Sequence, residues 1–213
     1  MSAYTNCEAA PPRLRKVKIV IAGGFGTGKT TLVGAVSEVR PLLTEAAMTQ
    51  ASEGVDALVG VESKKTTTVA MDFGRITLHQ EIVLMLFGTP GQDRFNNIWD
   101  DLSRGAAGAV VLVDTRRLED AFDVVAYFEA QQLPFLIAVN QFDRAPRYLL
   151  DEVREALRLD ASVPVVACDA RDRRSVLEIL KNVVRHALYR LPASQGAMTP
   201  PGVPRKVRNG GPT

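Results

Sequence analysis

Cysteine and histidine, which hold many metal sites and crosslinks, are scarce in this chain of 213 residues. It has two cysteines, Cys7 and Cys168, and two histidines, His79 and His186. Neither cysteine stands in a C-x-x-C pair, so a metal site built on thiols or a disulfide framework is not expected. A reducing, cytosolic setting fits this composition best. Neither histidine stands in a recognisable carboxylate–nucleophile setting, so both are expected to be structural.

An excess of charge of one sign and long hydrophobic runs are also lacking. The 26 basic and 24 acidic residues leave a formal net charge of +2, which argues against a dedicated nucleic-acid-binding protein. The longest apolar stretch, Ala106 to Val113, is far shorter than the roughly 20 residues of a membrane-spanning helix. The mixed, polar N-terminus does not resemble a signal peptide. Three basic residues near the C-terminus allow only a weak peripheral contact with anionic lipid, since each contributes about 1 kcal/mol.

One folded domain with flexible ends is expected from the length. Residues 1–15 and 192–213 are predicted to be flexible or disordered, because they have too little apolar surface to offset the entropy of ordering. The second of these segments is rich in proline and glycine. Residues 16–191 are therefore the predicted domain.

Strands and helices alternate within this domain. The predicted strands are 17–22, 69–78, 81–87, 108–114, 134–139 and 163–167, and the predicted helices are 28–39, 118–132, 148–159 and 175–191. Two residues separate the second and third strands, so these strands are predicted to form a hairpin. The pattern predicts a three-layer α/β fold whose six-stranded sheet is mostly parallel, with one antiparallel edge strand. The connection 41–65 has little periodicity, and loops of that length are usually functional or mobile.

A glycine-rich motif stands between the first predicted strand and the first predicted helix. It matches G-x-x-x-x-G-K-[ST] at every fixed position and reads Gly23-Gly24-Phe25-Gly26-Thr27-Gly28-Lys29-Thr30, followed by Thr31. Glycines let the backbone N–H groups point at phosphate oxygens, and the helix N-terminus adds its positive dipole end. Lys29 would contact the β- and γ-phosphates and Thr30 would bind Mg²⁺. The motif in this context predicts that the chain binds a nucleoside triphosphate.

Polar residues after two later strands bear on the base. Asn140-Gln141-Phe142-Asp143 follows strand 134–139, and the Asp143 carboxylate can accept hydrogen bonds from N1 and N2 of guanine, a donor pair that adenine lacks. The alternative is an ordinary polar turn. The segment resembles the N/T-K-x-D motif of Ras-like small GTPases, with Gln141 in place of the lysine. Cys168-Asp169-Ala170-Arg171 stands where those GTPases carry S-A-K, and the resemblance implies that the Ala170 N–H contacts the guanine carbonyl.

Two further segments resemble the switch regions of these GTPases. Gly88-Thr89-Pro90-Gly91-Gln92 stands at the place of D-x-x-G-Q, which implies that Gly91 binds the γ-phosphate and that Gln92 orients the attacking water. The segment from Thr68 to Phe73 resembles the T-[IV]-G-x-D-F segment of Rab-type proteins. The resemblance implies that Thr68 is a second Mg²⁺ ligand, although Thr66 and Thr67 leave the register open by one or two residues.

The order and spacing of all five elements over residues 16–191 resemble the bacterial branch of small GTPases, the gliding-motility Mgl-type and actinobacterial conservon proteins. Members of that branch are paired with Roadblock/LC7-type regulators. The resemblance therefore implies such a partner, a complex with a sensor kinase-like protein, and a cytoplasmic location that is peripheral to the membrane only through partners.

Three positions depart from the pattern of Ras-like proteins. Gly88 replaces an aspartate that holds a Mg²⁺-bound water, which predicts weaker Mg²⁺ binding. Phe25 replaces a small residue beside the γ-phosphate, and its ring either blocks an arginine finger or crowds Gln92, or else packs outward against a switch or partner. Gln141 lacks the lysine charge, which predicts a lower nucleotide affinity.

The source of a catalytic cation is open in the sequence. Lys64, Lys65 and Arg94 are candidates in cis, and each also fits a solvated loop. Trp99, with Phe95 and Ile98, is either a partner anchor or part of the core.

The sequence as a whole predicts a GTP-binding switch with slow, Mg²⁺-dependent and partner-regulated hydrolysis. The alternatives are a nucleotide-bound scaffold without useful hydrolysis and an ATP-using P-loop enzyme.

Overall fold

The computed structural model describes residues 15–40, 42–48, 67–78, 82–90 and 96–190. The strands and helices in these ranges are β1 (Arg15–Ala22), α1 (Lys29–Val36), β2 (Leu42–Met48), β3 (Thr67–Leu78), β4 (Ile82–Gly88), α2 (Asn96–Ser103), β5 (Gly108–Val113), a 3₁₀ helix (Leu118–Ala121), α3 (Phe122–Ala130), β6 (Phe135–Asn140), α4 (Leu150–Ala156), β7 (Val165–Cys168) and α5 (Arg173–Arg190). Each of the six predicted strands and four predicted helices is present, with ends that differ by a few residues.

One sheet holds the described strands in the order β2-β3-β4-β1-β5-β6-β7. The neighbours β4–β1, β1–β5, β5–β6 and β6–β7 are parallel, and β3 is antiparallel to both β2 and β4. The predicted α/β class with a mostly parallel sheet is confirmed. From β1 the sheet extends through β4 toward one edge and through β5 toward the other. Sheets of this kind bind ligands at such a point, next to the carboxyl ends of the strands.

The seventh strand, β2, corrects the predicted strand count. It lies in the connection 41–65 and pairs with β3 from Leu42 opposite Phe73 to Met48 opposite Thr67. The antiparallel strand β3 is therefore covered by β2 and does not form the edge. An unpaired strand edge binds another segment through backbone hydrogen bonds, and such pairing needs no side-chain periodicity that the sequence could display.

Apolar side chains fill both faces of the sheet. Alternate residues of β1 point to opposite faces, so that Ile19 and Ile21 pack with α1 and α5, while Val20 and Ala22 pack with α2, α3 and α4. The three-layer arrangement is as predicted. None of the helices in the described part of the chain combines the length and the apolar content needed to cross a membrane.

Helix α2 has no counterpart among the predicted elements. It places Ile98, Trp99 and Leu102 in the core, where Trp99 is only 7% exposed. The Trp99 ring meets the Tyr127 ring edge to face, with centroids 5.2 Å apart. Of the two interpretations of Trp99, core packing is therefore the correct one.

Candidate functional site

The glycine-rich loop joins β1 to α1 at the carboxyl end of the sheet. Gly28 has a φ of +101°, and a side chain there would also meet Asn140 Nδ2 at 2.7 Å, so only glycine fits. Helix α1 starts at Lys29 without a side-chain cap. The N–H groups of its first turn are left to an acceptor from outside the helix, as in helix termini that bind phosphate.

Lys29 is held inside the loop. Its Nζ donates to the carbonyl oxygens of Gly23 at 2.8 Å and Gly24 at 2.7 Å, and the side chain is 8% exposed. Burial lowers the pKa of Lys29 from 10.5 to about 8, and the nearby Asp72 carboxylate acts in the opposite direction. The ammonium is thus poorly solvated and donates to neutral carbonyl oxygens. The charged oxygens of a phosphate would accept stronger hydrogen bonds from it.

Asp72 on β3 reaches the end of the loop. The Thr30 hydroxyl donates to Asp72 Oδ2 at 2.6 Å. A Cβ at Gly88, on the neighbouring strand β4, would lie 2.8 Å from the Cβ of Asp72 and 3.1 Å from its Oδ2. The Asp72 side chain therefore occupies the space beside position 88, so that the carboxylate missing at Gly88 is present nearby from another strand.

This pair of oxygen donors fits Mg²⁺. A hydroxyl and a carboxylate 2.6 Å apart are the kind of partial ligand set that Mg²⁺ uses, with waters and substrate phosphates completing its octahedron. The Thr89 hydroxyl, one residue after Gly88, is buried and has no hydrogen-bond partner among the described residues, as expected of a group that a bound water satisfies. The described residues hold no cluster of three His, Cys, Asp or Glu side chains for a protein-only metal site.

Asn140 at the end of β6 joins three segments. Its Nδ2 donates to the carbonyl oxygen of Thr27 at 2.9 Å, and its Oδ1 accepts from the Ala170 N–H at 3.0 Å. Asn140 is buried, and buried amides of this kind are costly to leave unpaired. The predicted base-reading segments and the phosphate loop are therefore brought together, although the Ala170 N–H is engaged by Asn140.

A cavity of about 320 Å³ lies beside this junction. It is lined by Gly28, Thr31, Arg116, Asn140, Gln141, Phe142, Asp143, Asp169, Ala170 and Arg171. The Arg116 guanidinium lies 4.2 Å from the centre of the Phe142 ring and pairs with the buried Asp114 at 2.6 Å. Every residue predicted to surround the base except Cys168 lines this cavity.

Asp143 is exposed in the cavity wall and paired with Arg171. Arg171 donates from Nη1 to Asp143 Oδ2 at 2.9 Å and from Nη2 to Asp143 Oδ1 at 3.3 Å, and it also bonds Asp169. These bonds hold the pKa of the Asp143 carboxyl below its usual range. The carboxylate is thus kept ionised, which is the form that accepts two hydrogen bonds.

Phe25 and Cys168, two further predicted site residues, differ in their exposure. The Phe25 side chain is 66% exposed, which agrees with the interpretation that it packs outward. Cys168 is buried against Asn140, and burial raises the pKa of its thiol to about 12. A thiol of that kind is unreactive at neutral pH, so Cys168 contributes packing.

Thr68 is not brought to the phosphate loop. It precedes Asp72 by four residues in β3, which places it roughly 13 Å further along the strand, and its backbone pairs with Ala47 of β2. Its predicted role as a Mg²⁺ ligand therefore requires β3 to separate from β2 over this stretch. Gly91, Gln92, Lys64, Lys65 and Arg94 lie outside the described residues.

Two charged residues of the site, Asp72 and Arg116, were not predicted to be there, and Arg171 was named only as the last residue of the segment that begins at Cys168. Asp72 was noticed only as part of the T-[IV]-G-x-D-F resemblance, although a carboxylate one strand from Gly88 was a usable signal. A larger cavity, about 720 Å³, lies at the opposite end of the sheet around Val17, Phe128 and Pro134. It holds none of the predicted site residues, so the geometry favours the smaller cavity.

A family model described as "conserved hypothetical ATP binding protein" matches residues 21–190. The chain belongs to this family. It is similar to an uncharacterized protein of Methanocaldococcus jannaschii, with 28% identity over 60% of this chain and 71% of that protein. It is also similar to a Ras-related protein of Saccharomyces cerevisiae, with 26% identity over 53% of this chain and 57% of that one. The GTP-binding protein ypt4 of Schizosaccharomyces pombe is 32% identical over 50% of this chain and 40% of ypt4.

Solved structures agree on the fold. The G domain of the T. maritima FeoB iron transporter covers 81% of this chain and 99% of its own, with 18% identity and a TM-score of 0.58. The Arl6 small GTPase of Trypanosoma brucei, solved with a bound nucleotide analogue, covers 82% and 99%, with 18% identity and a TM-score of 0.58. The fold is therefore that of a small-GTPase G domain. The resemblance to the Mgl-type and conservon branch stays a prediction.

Proposed function

We propose that this protein is a GTP-binding molecular switch that hydrolyses GTP slowly. The observation that carries the proposal is the junction at Asn140, which ties the loop that would hold the phosphates to the cavity that would hold the base. Asp143 and Ala170 stand in that cavity. Two relatives that are Ras-related or GTP-binding by name support the guanine preference.

Thr30 and Asp72 are the residues that would hold Mg²⁺. When bound, the ion neutralises charge on the β- and γ-phosphate oxygens. Asp72 supplies from β3 the carboxylate that Gly88 lacks, so the weak Mg²⁺ binding inferred from Gly88 alone is not expected.

Replacing Asp72 by asparagine should raise the Mg²⁺ concentration needed to retain GTP by about tenfold. Losses of metal affinity of this size are typical when a residue that supports a metal site is changed. Asparagine keeps an oxygen that can accept from Thr30 and removes only the charge. The measurement is the GTP dissociation rate as a function of Mg²⁺ concentration. Asp101→Asn, which removes a charge from the exposed end of α2, is the control. An unchanged Mg²⁺ dependence in Asp72→Asn would contradict the assignment.

GTP affinity should fall about tenfold between pH 7 and pH 9 in Mg²⁺-free buffer, because phosphate binding needs the charged form of Lys29. The pKa of Lys29 is about 8, so the fraction in the charged form decreases across this interval, and binding at pH 8 takes up about half a proton for each GTP. Calorimetry in two buffers of different ionisation enthalpy measures that uptake. The arginine of Lys29→Arg stays charged from pH 7 to pH 9, so the GTP affinity of this variant should not change with pH. A flat profile in the wild type would show that Lys29 does not titrate at the phosphates.

Hydrolysis would act as the timer of the switch. GTP would hold Gly91 and the region of Thr68 against the γ-phosphate, and loss of that phosphate would release both segments. We expect Gln92 to orient the water, a Roadblock/LC7-type protein to regulate the rate, and a sensor kinase-like protein to share the complex. The protein would act in the cytoplasm, with one G domain over residues 16–191; the terminal segments 1–14 and 192–213 lie outside the described residues.

Single-turnover release of phosphate from bound GTP, with and without a Roadblock-type protein, tests this function. A slow rate that the partner accelerates is expected. Release in neither case would favour the scaffold that binds a nucleotide without useful hydrolysis.

The description of the family favours a second candidate, an ATP-binding protein. The phosphate loop serves either nucleotide, so the decision rests on the base cavity. The Asp143 carboxylate offers two acceptors, whereas the adenine edge carries one amino donor beside an acceptor nitrogen. This difference is the reason to place GTP first.

A further inference from the structure

The 3₁₀ helix after β5 lies directly on the phosphate loop. A Cβ at Gly24 would stand 2.6 Å from the Cβ of Asp120 and 2.8 Å from its Oδ2. A Cβ at Gly26 would be 3.6 Å from Nη2 of Arg117. The segment from Arg117 to Asp120 thus covers the middle of the loop, about 90 residues away in sequence, and no motif in the sequence includes it.

Arg117 brings a second cation to this loop. Its Nη2 donates to the carbonyl oxygen of Phe25. The other partner of its guanidinium among the described residues is Asp120, whose Oδ2 is 3.5 Å away, longer than the 2.7–2.9 Å typical of a charge-assisted hydrogen bond. The Arg117 side chain is 45% exposed. Among the described residues, a neutral carbonyl and a distant carboxylate are therefore the partners of the guanidinium, and neither forms a close ion pair with it.

Lys29 and Arg117 donate hydrogen bonds to consecutive carbonyl oxygens of the same loop. Lys29 Nζ donates to the carbonyl oxygens of Gly23 and Gly24, and Arg117 Nη2 donates to the next carbonyl oxygen, that of Phe25. Both cations thus bond to weak acceptors at the loop that receives the phosphates. A guanidinium presents paired donors that match phosphate oxygens, and such bonds are about twice as strong as those between neutral groups.

We propose that Arg117 is the cation supplied in cis for the outer phosphate, moving from the Phe25 carbonyl to a γ-phosphate oxygen of the bound triphosphate. This rests on the proposed function for the presence of the nucleotide, but not on the identity of its base. In hydrolysis the water oxygen bonds to the γ-phosphorus, and the bond from that phosphorus to the β–γ bridging oxygen breaks. The electron pair stays on GDP, and both protons of the water leave with the phosphate as H₂PO₄⁻. Arg117 would stabilise the charge that develops on the oxygens.

The first test compares affinities for a non-hydrolysable GTP analogue and for GDP. Arg117→Ala should reduce the ratio of analogue to GDP affinity by about tenfold, the equivalent of one charged hydrogen bond, and Arg117→Lys should restore part of it. Arg104→Ala is a matched control, because Arg104 forms an i,i+3 ion pair with Asp101 at 3.4 Å but belongs to the end of α2, near Lys18. Its ratio should equal that of the wild type.

The second test is the rate of single-turnover GTP hydrolysis, which should fall by about 100-fold or more in Arg117→Ala, toward the range reported for arginines that reach the γ-phosphate. Binding of GDP with aluminium fluoride, which mimics the transferred phosphate, should be lost in the same variant.

If Arg117 only braces the loop, Arg117→Ala will weaken GDP and the analogue equally and leave the hydrolysis rate of bound GTP unchanged, which would overturn the proposal. An unchanged ratio with unchanged affinities would overturn it as well. Failure of the wild type to bind any triphosphate would instead refute the proposed function, and a preference for ATP would move the same ratio test to adenine nucleotides.

Discussion

Lys29→Met is expected to lower GTP affinity by about 100-fold. Lys29 is the one residue of the motif that brings a full charge to the β- and γ-phosphates. A hydrogen bond to a charged group contributes about 1.5–3 kcal/mol, and 1.4 kcal/mol corresponds to tenfold in affinity. Methionine keeps most of the apolar stem and removes the ammonium, so the measured loss reports the charge.

The same variant should be at least as stable as the wild type without nucleotide. A Lys29 pKa lowered from 10.5 to about 8 means that burial of the ammonium costs up to roughly 3 kcal/mol at neutral pH. This cost is present below pH 8 and is relieved as pH rises from about 8 to 10.5, because the unfolded chain then binds more protons than the folded one. Removing the ammonium offsets the loss of its two carbonyl contacts.

Nucleotide affinity by fluorescence titration and the free energy of unfolding in urea separate these two effects. Lys181→Ala, which removes the same charge from the exposed face of α5, is the control and should bind GTP as the wild type does. Normal GTP binding by Lys29→Met would refute the assignment of the loop. A drop in stability that matches the loss of affinity would show that the variant is merely misfolded.

Asp143→Asn should abolish the preference for guanine. The carboxylate accepts from N1 and N2 of the base, and the asparagine amide offers one acceptor and one donor group in its place. We expect GTP affinity to fall by about 100-fold, because sites built for a hydrogen-bonding pattern reject a mismatched partner strongly. Xanthosine triphosphate, which carries a carbonyl where guanine has its amino group, should gain affinity in the same variant.

Stability should change little in Asp143→Asn, since the ion pair that it weakens joins Arg171 and Asp143 at side-chain exposures of 57% and 80% and surface pairs contribute little. Asp151→Asn on α4 is the charge-matched control. Equal losses for GTP and xanthosine triphosphate would indicate that Asp143 acts through Arg171 and does not read the base.

Short-range patterns in the sequence were enough to predict the phosphate loop and its place between a strand and a helix. The run from Gly23 to Thr30 sets its own backbone path, and the strand before it and the helix after it follow from short-range patterns. The position of Asn140 at the carboxyl end of β6 was also predictable, because it directly follows a buried apolar run. The sequence did not reveal that its amide would join Thr27 to Ala170, since that contact depends on the relative position of three loops.

Contacts between strands explain most of what was missed. Gly88 was interpreted as the loss of a carboxylate, but the pairing of β3 with β4 puts Asp72 into the space beside it. The predicted hairpin identifies which strands pair, but a shift of one residue in the register moves each side chain to the other face of the sheet. Strand β2 forms because β3 offers a free edge. Arg117 reaches Phe25 from a distant part of the chain, directly before a 3₁₀ helix whose local sequence has no recognisable motif.

The central claim is that the Asn140–Asp143 cavity selects guanine for the loop that contains Lys29. The most direct test is a titration of the purified wild-type protein with GTP and with ATP in the presence of Mg²⁺. The account predicts at least about a 100-fold preference for GTP, the equivalent of two well-formed hydrogen bonds to a charged group. Equal affinities, or tighter binding of ATP, would contradict it.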